Sequence, residues 1–459
     1  MNTRLERNPR VRALGSNPLL LSLIALVYEA QLDLPDRRTK LYERCVDILL
    51  TEWDTSRSIQ RRREFKPEYK QQLLEELAWH FHLKGQRYFL DNEVIAVIAE
   101  FLPAVGLPAE QGMKVLEEIA NENGLLKAQA QGWHGFLHLT LQEYFVARYV
   151  TNHQKLEELL IHRGDPWWEE VLQLYAGQTV DASLLLQKLL GQGDEEALQE
   201  DLFHTNLILA GRCLAARPTV RQTSLRQEIT SRLFDLLTTT SYSLTREQAA
   251  NTLAAISGAE VNTSLLKLLS EQRLSIFVRK SSAQALGQLG DRSMTPELVR
   301  LLFDQQLNSG VRQSIASAVG QLGDRSAVPE LLRLLSSQQL DSDVRQSIAL
   351  AISQLGDRSA IPELLHLLSD PHLDSDVRQG IALALGELGN RSTIPELLRL
   401  LSDQHLDLDV RQRIALALGQ LGDRSVVPEL LHLLSDPHLS SYVRWSIAFA
   451  FRKLYACRE

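Results

Sequence analysis

The stretch that decides the fold is "DSDVRQSIALAISQLGDRS", residues 341–359. It returns 33 positions later as "DSDVRQGIALALGELGNRS" (374–392) and again as "DLDVRQRIALALGQLGDRS" (407–425). The same step of 33 separates six Val-Arg pairs, which begin at residues 278, 311, 344, 377, 410 and 443. A fixed period of this length indicates a repeat protein, in which each repeat is one supersecondary unit.

One period, residues 327–359, predicts two helices joined by short turns. "VPELLRLLS" carries Pro329 in its first turn, where a missing N–H group costs no helical hydrogen bond, and Ser326 is its predicted cap. "DVRQSIALAISQLG" has apolar residues at helical intervals, and Gly356 follows the last of them, as is typical of a left-handed C-cap. Asp343 begins this helix and stands at capping-box spacing from the glutamine three places later.

A hairpin of this kind has two open apolar faces, so it is not stable by itself. Stacking against the hairpins before and after it closes both faces, and stability then depends on contacts between neighbouring repeats. We therefore predict a predominantly all-α protein in which residues 261–459 form an α-solenoid of 33-residue repeats.

The repeats resemble HEAT repeats, in particular the short type named after phycobilisome lyases. The resemblance covers about residues 262–459 and lies in the proline of the first helix, the Val-Arg pair of the second and the Leu-Gly-Asp that closes it. It implies a polar ladder inside the stack between three aspartates and three arginines, namely Asp343, Asp376 and Asp409 with Arg345, Arg378 and Arg411. The residues alone leave a second interpretation open, in which these side chains cap helices and carry exposed charge.

The last repeat departs from this pattern. Aromatic residues are concentrated there, and the candidates for partner binding are Tyr442, Trp445, Phe449 and Phe451. Three interpretations stay open for this repeat: a terminal cap packed internally, a docking surface for a partner, or the truncated end of a longer array.

The front half divides into three predicted regions. Residues 1–63 form a helical segment, with apolar runs in "NPLLLSLIALVYEA" and "RRTKLYERCVDILLTEWD". Residues 64–153 form a winged-helix domain, and residues 154–260 are an irregular helical linker or degenerate repeats.

The winged-helix prediction depends on a short strand and a hairpin placed among helices. "RYFL" is the predicted strand, and "LLKAQAQGWHGFLHL" predicts two more strands around Gln131 and Gly132. Thr140 and Glu143 stand at capping-box spacing at the start of the helix "LQEYFVARYV". Helices followed by a two-stranded wing are typical of a winged helix.

Two stretches resemble parts of bacterial NACHT-type STAND NTPases. Residues 17–54 are similar to the segment after the nucleotide-binding core, and "GFLHLTLQEYFVARYV" (135–150) is similar to the winged-helix signature. In that family a proline in the first stretch packs near the adenine of ADP, and the winged-helix histidine reaches its phosphates. The resemblance assigns these cofactor-binding roles to Pro18 and His138. Without it, the two residues read as a helix-starting proline and a packed strand histidine.

The sequence contains no G-x-x-x-x-G-K-[ST] motif, so it encodes no phosphate-cradling loop of that type. We therefore expect ADP or ATP only where a separate NTPase core completes the site, and that core is a candidate partner. Catalytic motifs such as G-x-S-x-G and H-E-x-x-H are absent as well. We therefore expect no enzyme activity from this chain. We also expect no metal site, because its three cysteines, Cys45, Cys213 and Cys457, lack metal-ligand spacing.

Composition narrows the class of partner and the compartment. The formal net charge of −8 disfavours broad contact with nucleic acid. The apolar run in residues 17–30 is shorter than the roughly 20 residues that a membrane crossing needs. Few cysteines, odd in number, fit a reducing cytoplasm.

These observations favour a non-catalytic module for protein–protein interaction. The preferred hypothesis is the sensor and regulatory half of a NACHT-type signal-transduction NTPase, whose HEAT array binds a protein ligand. Two alternatives stay open: a free-standing HEAT-repeat scaffold, and a phycobilisome-lyase-like protein that acts on phycobiliproteins.

Overall fold

The computed structural model describes residues 18–31, 35, 37–52, 65–120, 124–192, 200–435 and 439–456. The chain divides into two compact units, Met1–Leu236 and Leu237–Glu459. The predicted fold class is confirmed, because both units are predominantly helical and the strands that are described belong to one small sheet in the first unit.

The first unit begins with the helices α1 (Pro18–Gln31) and α2 (Arg38–Asp47), and a π-helical turn over Ile48–Glu52 continues α2. Helix α2 packs against α8 (Pro166–Gln178). A Cβ atom on Gly177 of α8 would lie 2.6 Å from Cγ2 of Thr39, so the glycine permits this close approach.

The winged-helix region has the predicted order of helices and strands. Its three strands pair antiparallel in the order β1-β3-β2, and Lys127 of β2 lies opposite Gly135 of β3. The elements are α3 (Pro67–Leu83), β1 (Tyr88–Leu90), α4 (Asp91–Phe101), α5 (Gly112–Glu118), β2 (Leu126–Ala130), β3 (Trp133–Phe136) and α6 (Leu139–Asn152).

Aromatic contacts join the helices of this region to its sheet. Phe81 of α3 stacks on Phe89 of β1 with ring centroids 4.0 Å apart, and Phe89 meets Phe136 of β3 edge-on. Phe136 in turn contacts Phe145 of α6 at 5.9 Å. The wing is therefore held on the apolar faces of α3 and α6.

The predicted capping box at Thr140 and Glu143 is wrong. Helix α6 begins at Leu139, and its N-cap is His138, whose backbone is extended and whose ring Nδ1 accepts a hydrogen bond from the Thr140 backbone N–H. The histidine takes over the capping role because its ring reaches the same free amide groups that a threonine hydroxyl would. Glu143 is therefore not a capping residue, and its side chain is buried.

The rest of the first unit is helical. Beyond α8 it contains α7 (Leu156–Ile161), α9 (Ser183–Leu189), α10 (Thr205–Ala215) and α11 (Thr223–Thr239), the last of which ends just beyond the division between the units. An ion pair between Arg212 of α10 and Glu169 of α8 links two of these helices.

The second unit alternates two kinds of helix. The first helices of the hairpins, here called A helices, are α13 (Ala259–Ser270), α15 (Thr295–Leu302), α17 (Val328–Leu335), α19 (Ile361–Ser369), α21 (Ile394–Ser402) and α23 (Val427–Leu434). The second helices, here called B helices, are α12 (Ser243–Ile256), α14 (Ile276–Leu289), α16 (Ser309–Leu322), α18 (Ser342–Leu355), α20 (Ser375–Leu388), α22 (Leu408–Leu421) and α24 (Ser441–Ala456).

Each B helix packs against the B helix of the next repeat, so the unit is a stack. Val344, Ile348 and Ile352 of α18 are fully buried between neighbouring helices. Gly356 closes α18 in the left-handed conformation with φ of +65°, which confirms the predicted C-cap. The repeats thus bury one another's apolar faces, as the periodicity predicts.

Two of the predicted caps in the repeats are wrong. The 3-10 turn before α17 is capped by Asp324, which accepts a hydrogen bond from the Ser326 backbone N–H, so Ser326 is the capped residue and not the cap. Helix α18 has Asp341 as its N-cap residue, and Asp343 lies in its first turn. In both places an aspartate two residues earlier occupies the position that sequence reading gave to the later residue.

Two arginine–aspartate pairs between neighbouring repeats are present, but with different aspartates from those that the resemblance implies. Arg312 Nη2 lies 2.8 Å from Asp341 Oδ2, and Arg345 pairs with Asp374 in the same way. Each arginine is buried and reaches the N-cap position of the next repeat, so the pairing with Asp343 and Asp376 was wrong. The N-cap position of the last repeat holds a serine instead of an aspartate, and Arg411 Nε donates to the Leu401 carbonyl oxygen at 2.9 Å.

Candidate functional site

His138 is the candidate cofactor residue whose surroundings the structure describes. It lies half-buried between β3 and α6, and its Nδ1 is 3.2 Å from the Thr140 amide N and 2.8 Å from the Thr140 hydroxyl. Burial and the charge of Arg87 lower the pKa of His138, which keeps the ring neutral at neutral pH. Because Nδ1 accepts from the amide, the proton of the neutral ring is on Nε2, which is a hydrogen-bond donor.

Two arginines and a buried carboxyl group accompany this histidine. Burial raises the pKa of Glu143 to about 7, and the charges of Arg38 and Arg87 partly oppose that shift. Arg38 also forms an ion pair with Glu170 of α8. The set combines a neutral donor with positive charge, which fits an anionic group such as a phosphate. Sequence reasoning missed Arg38 and Arg87 as members of this site, because no motif joins them to His138, and it assigned Glu143 to a capping box.

The other candidate cofactor residue, Pro18, is the first residue of α1. Its side chain lies outside the described residues, so the proposed pairing of Pro18 and His138 around a nucleotide stays a prediction.

Glu143 predicts a pH dependence of stability. Its folded pKa of about 7 lies above the ordinary value of 4.5, so its contribution to stability is present below pH 4.5 and is lost as the pH rises to about 7. We expect Glu143→Gln to raise the free energy of unfolding of the first unit by about 2–3 kcal/mol at pH 8 and to leave it unchanged at pH 4. Urea unfolding of the full chain at both pH values measures the difference.

The control for this prediction is Glu117→Gln, which removes one exposed carboxylate from the same unit. It is expected to change stability by less than about 0.5 kcal/mol at either pH. An equal gain for Glu143→Gln at pH 4 and pH 8 would contradict the assigned cause.

The aromatic residues of the last repeat lie on α24. Tyr442 and Trp445 expose 69% and 67% of their surface, whereas Phe449 and Phe451 are half-buried. Trp445 stacks on Phe449 with ring centroids 5.8 Å apart. Residues 442, 445 and 449 are three and seven places apart, so they share one helix face, and Phe451 faces elsewhere.

Phe451 stands where preceding B helices have leucine, isoleucine or valine, whereas Arg452 stands where they have glycine or serine. A Cβ atom on Gly419 of α22 would lie 2.8 Å from the Ala450 Cα of α24, which shows how closely the next helix approaches that position. Phe451 therefore continues the apolar pattern of the earlier B helices, while Tyr442 and Trp445 have the exposure of a docking surface.

Among the described residues we examined possible metal ligands, cysteine thiols and apolar helices. The described residues contain no group of three or more His, Cys, Asp or Glu residues that could hold a metal ion. Burial raises the pKa of the Cys45 thiol to about 12 and that of the Cys213 thiol further still, so both thiols are unreactive. Among the helices that the structure describes, none has both the length and the apolar character of a membrane span.

The fold and the site define a helical-repeat protein that carries a winged-helix domain. Comparison with family models gives the family of each part: residues 274–340, 304–374, 332–408 and 371–452 match the model for HEAT repeats. Residues 38–150 match the model described as the winged helix-turn-helix domain C-terminal to NACHT. The chain thus contains HEAT repeats and a NACHT-associated winged helix. Comparison with curated protein sequences gives no match.

Comparison with solved structures gives similarities of low sequence identity. Human deoxyhypusine hydroxylase is 19% identical over 59% of this chain and 94% of its own, with a TM-score of 0.26. The CpcE–CpcF complex of phycocyanin lyase from Nostoc sp. PCC7120 is 20% identical over 50% and 94%, with a TM-score of 0.31. Kap121p bound to Pho4p is 14% identical over 95% of this chain and 49% of Kap121p, with a TM-score of 0.41.

Proposed function

We propose that this chain is the sensor and relay part of a NACHT-type signalling NTPase, in which the HEAT array binds a protein ligand and the winged helix transmits that binding to a nucleotide switch. The observation that carries the proposal is the order of the two matched regions, a NACHT-associated winged helix at residues 38–150 followed by HEAT repeats at residues 274–452.

The geometry at the start of α6 supports a role in sensing a nucleotide. His138 presents a neutral ring with its proton on Nε2, and the charge of Arg87 acts on the same place. These groups would hold the phosphates of ADP when a NACHT core supplies the rest of the site. The core would contribute the phosphate-binding loop, and His138 would report whether the nucleotide is in place.

The test of this part needs the NACHT core of the same locus, encoded in frame upstream or by an adjacent gene, co-expressed with this chain. Binding of a fluorescent ADP analogue is then measured by titration. We expect His138→Ala to weaken ADP binding about tenfold or more, since a hydrogen bond to a charged group contributes about 1.5–3 kcal/mol. His153→Ala is the matched control, because His153 caps the other end of the same helix.

Two results would contradict the proposal. One is the lack of any Walker motif in frame or in a neighbouring gene, and the other is unchanged ADP affinity for His138→Ala in the reconstituted complex. If the array still binds a protein ligand in either case, the chain acts as a HEAT-repeat scaffold without a nucleotide switch.

A further inference from the structure

Tyr442, Trp445 and Phe449 occupy positions that have equivalents in every earlier repeat. The equivalent residues lie 33, 66 and 99 places earlier in the sequence, on the same face of α22, α20 and α18. We call this face of the four consecutive helices the band. In α18, α20 and α22 its positions hold an aspartate, a glutamine and a leucine in turn, and in α24 they hold the three aromatic residues.

The positions equivalent to Tyr442 form the first row of the band, and this row is acidic. Asp343, Asp376 and Asp409 are exposed in the first turns of three neighbouring helices. A carboxylate in the first turn stabilises a helix by interacting with its dipole. The N-cap aspartates already lie at that end of each helix, so the helices do not depend on these three carboxylates for this interaction. Within the described residues the three form no ion pair with a cationic side chain. Two cations lie beside the band: the half-buried Arg413 of α22, and Lys453 of α24, whose Nζ lies 5.9 Å from the centroid of the Phe449 ring. Neither forms an ion pair with the acidic row among the described residues.

The positions equivalent to Phe449 form the third row of the band, and this row is apolar. Leu350, Leu383 and Leu416 remain half-exposed on the same helices, although Leu355, Leu385 and Leu418 are buried there. The glutamines between the acidic and apolar rows, Gln346, Gln379 and Gln412, can both donate to and accept from a peptide backbone. Packed helices lie about 8–10 Å apart, which equals about three residues of an extended chain at about 3.3 Å each.

The aromatic end of the band points to the same ligand chemistry as the acidic row. Tyr442 and Trp445 are two-thirds exposed and lie on the helix next to Asp409. The face of an aromatic ring attracts lysine and arginine, and Trp and Tyr are enriched among the residues that dominate binding energy. Two independent features, carboxylates and open aromatic rings, therefore both select cations.

We propose that the band binds an extended, basic peptide segment of a protein partner, which crosses α18, α20, α22 and α24 in turn. The segment places arginine or lysine against the acidic row about every third residue, apolar side chains against the leucines, and a final cationic residue on Trp445. This inference rests on the proposed function, in which the HEAT array binds a protein, and it identifies the face and the chemistry of the ligand. The negative row disfavours nucleic acid as the occupant.

The test uses the full chain and a fluorescein-labelled peptide of four Arg-Leu-Ser repeats, with four Glu-Leu-Ser repeats as its counterpart. Binding is measured by fluorescence anisotropy at low and at raised salt. We expect the basic peptide to bind at least tenfold more tightly than the acidic one, and the triple variant Asp343→Asn, Asp376→Asn, Asp409→Asn to lose at least tenfold in affinity together with most of the salt dependence. The double variant Tyr442→Ser, Trp445→Ser should lose about fivefold or more.

The matched control is Glu330→Gln, Glu363→Gln, Glu396→Gln, which removes the same number of carboxylates from the A helices α17, α19 and α21. Its peptide affinity should stay within twofold of the wild type. Circular dichroism melting of each variant shows whether the stack is intact.

Several outcomes overturn the inference. The inference fails if the basic peptide does not bind the folded wild-type chain, or if both peptides bind equally well. It also fails if the A-helix control loses more peptide affinity than the band variants do. If the natural partner of the array is identified and binds the folded band variants as well as the wild type, the inference fails while the proposed function stands. If deletion of the repeats leaves that partner bound to the rest of the chain, the proposed function itself fails.

Discussion

Gly386→Val is expected to disrupt the stacking of the second unit and to lower its free energy of unfolding by about 3 kcal/mol or more. Gly386 lies on α20 where α22 comes closest. A Cβ atom at this position would lie 2.9 Å from the Ala417 Cα and 3.0 Å from the Ala417 Cβ. A valine brings two further methyl groups, and the obstacle is partly backbone, so a rotamer change alone cannot relieve the collision.

Urea unfolding followed by circular dichroism measures the loss, and hydrogen exchange of peptides from α20 and α22 locates it. The control is Ser353→Gly at the equivalent position of α18, where the serine hydroxyl donates to Glu387 Oε2 at 2.5 Å. That change should cost about 1–2 kcal/mol, from the lost hydrogen bond and the low helix propensity of glycine, which is less than the valine costs. Wild-type stability for Gly386→Val would mean that the helices of the stack are not held at this spacing.

Glu75→Leu is expected to destabilise the first unit by about 3 kcal/mol, because it breaks a buried ion pair from one side. Glu75 is only 2% exposed. Its carboxylate accepts from Arg148 Nε at 3.0 Å and from Asn152 Nδ2 at 2.7 Å, which joins α3 to α6. The leucine leaves the guanidinium of Arg148, which also donates to the Tyr144 hydroxyl, without its counter-charge.

Thermal unfolding of the full chain, with the aromatic circular dichroism signal as the probe, follows this loss. Glu75→Gln should fall between the wild type and the leucine variant, since it keeps hydrogen-bonding atoms and removes only the charge. Glu76→Gln changes a half-exposed neighbour and should cost less than about 1 kcal/mol. If Glu75→Leu melts at the wild-type temperature, the pair between α3 and α6 does not support this domain.

The sequence was sufficient for the solenoid because one pattern is written several times. Each copy has the same proline, the same apolar spacing and the same glycine, so local propensity and the 33-residue period agree. The wing was predictable for a similar reason, since short β-prone runs flank Gln131 and Gly132. The caps were less predictable, because two aspartates two places apart offer the same chemistry at each B-helix start, and only the backbone conformation selects Asp341 over Asp343.

The candidate site was likewise predictable from the sequence only in part. The motif around His138 was readable, because it lies in one continuous stretch. Arg38, Arg87 and Glu143 come from three separate elements, and the raised pKa of Glu143 depends on burial that no local pattern reveals. For the last repeat, the sequence could not separate a cap from a docking surface, whereas exposure distinguishes Phe451 from Tyr442 and Trp445.

The amino-acid sequence by itself determined that this chain contains a winged helix followed along the sequence by stacked helical hairpins, since periodicity and glycine or proline placement act over a few residues. The tertiary structure alone decided which aspartate each arginine meets and which aromatic residues face solvent. The pairing of Arg345 with Asp374 joins two repeats, and its partner depends on how far one helix is displaced along its neighbour. Such a displacement is a property of packed surfaces, which a linear pattern does not record.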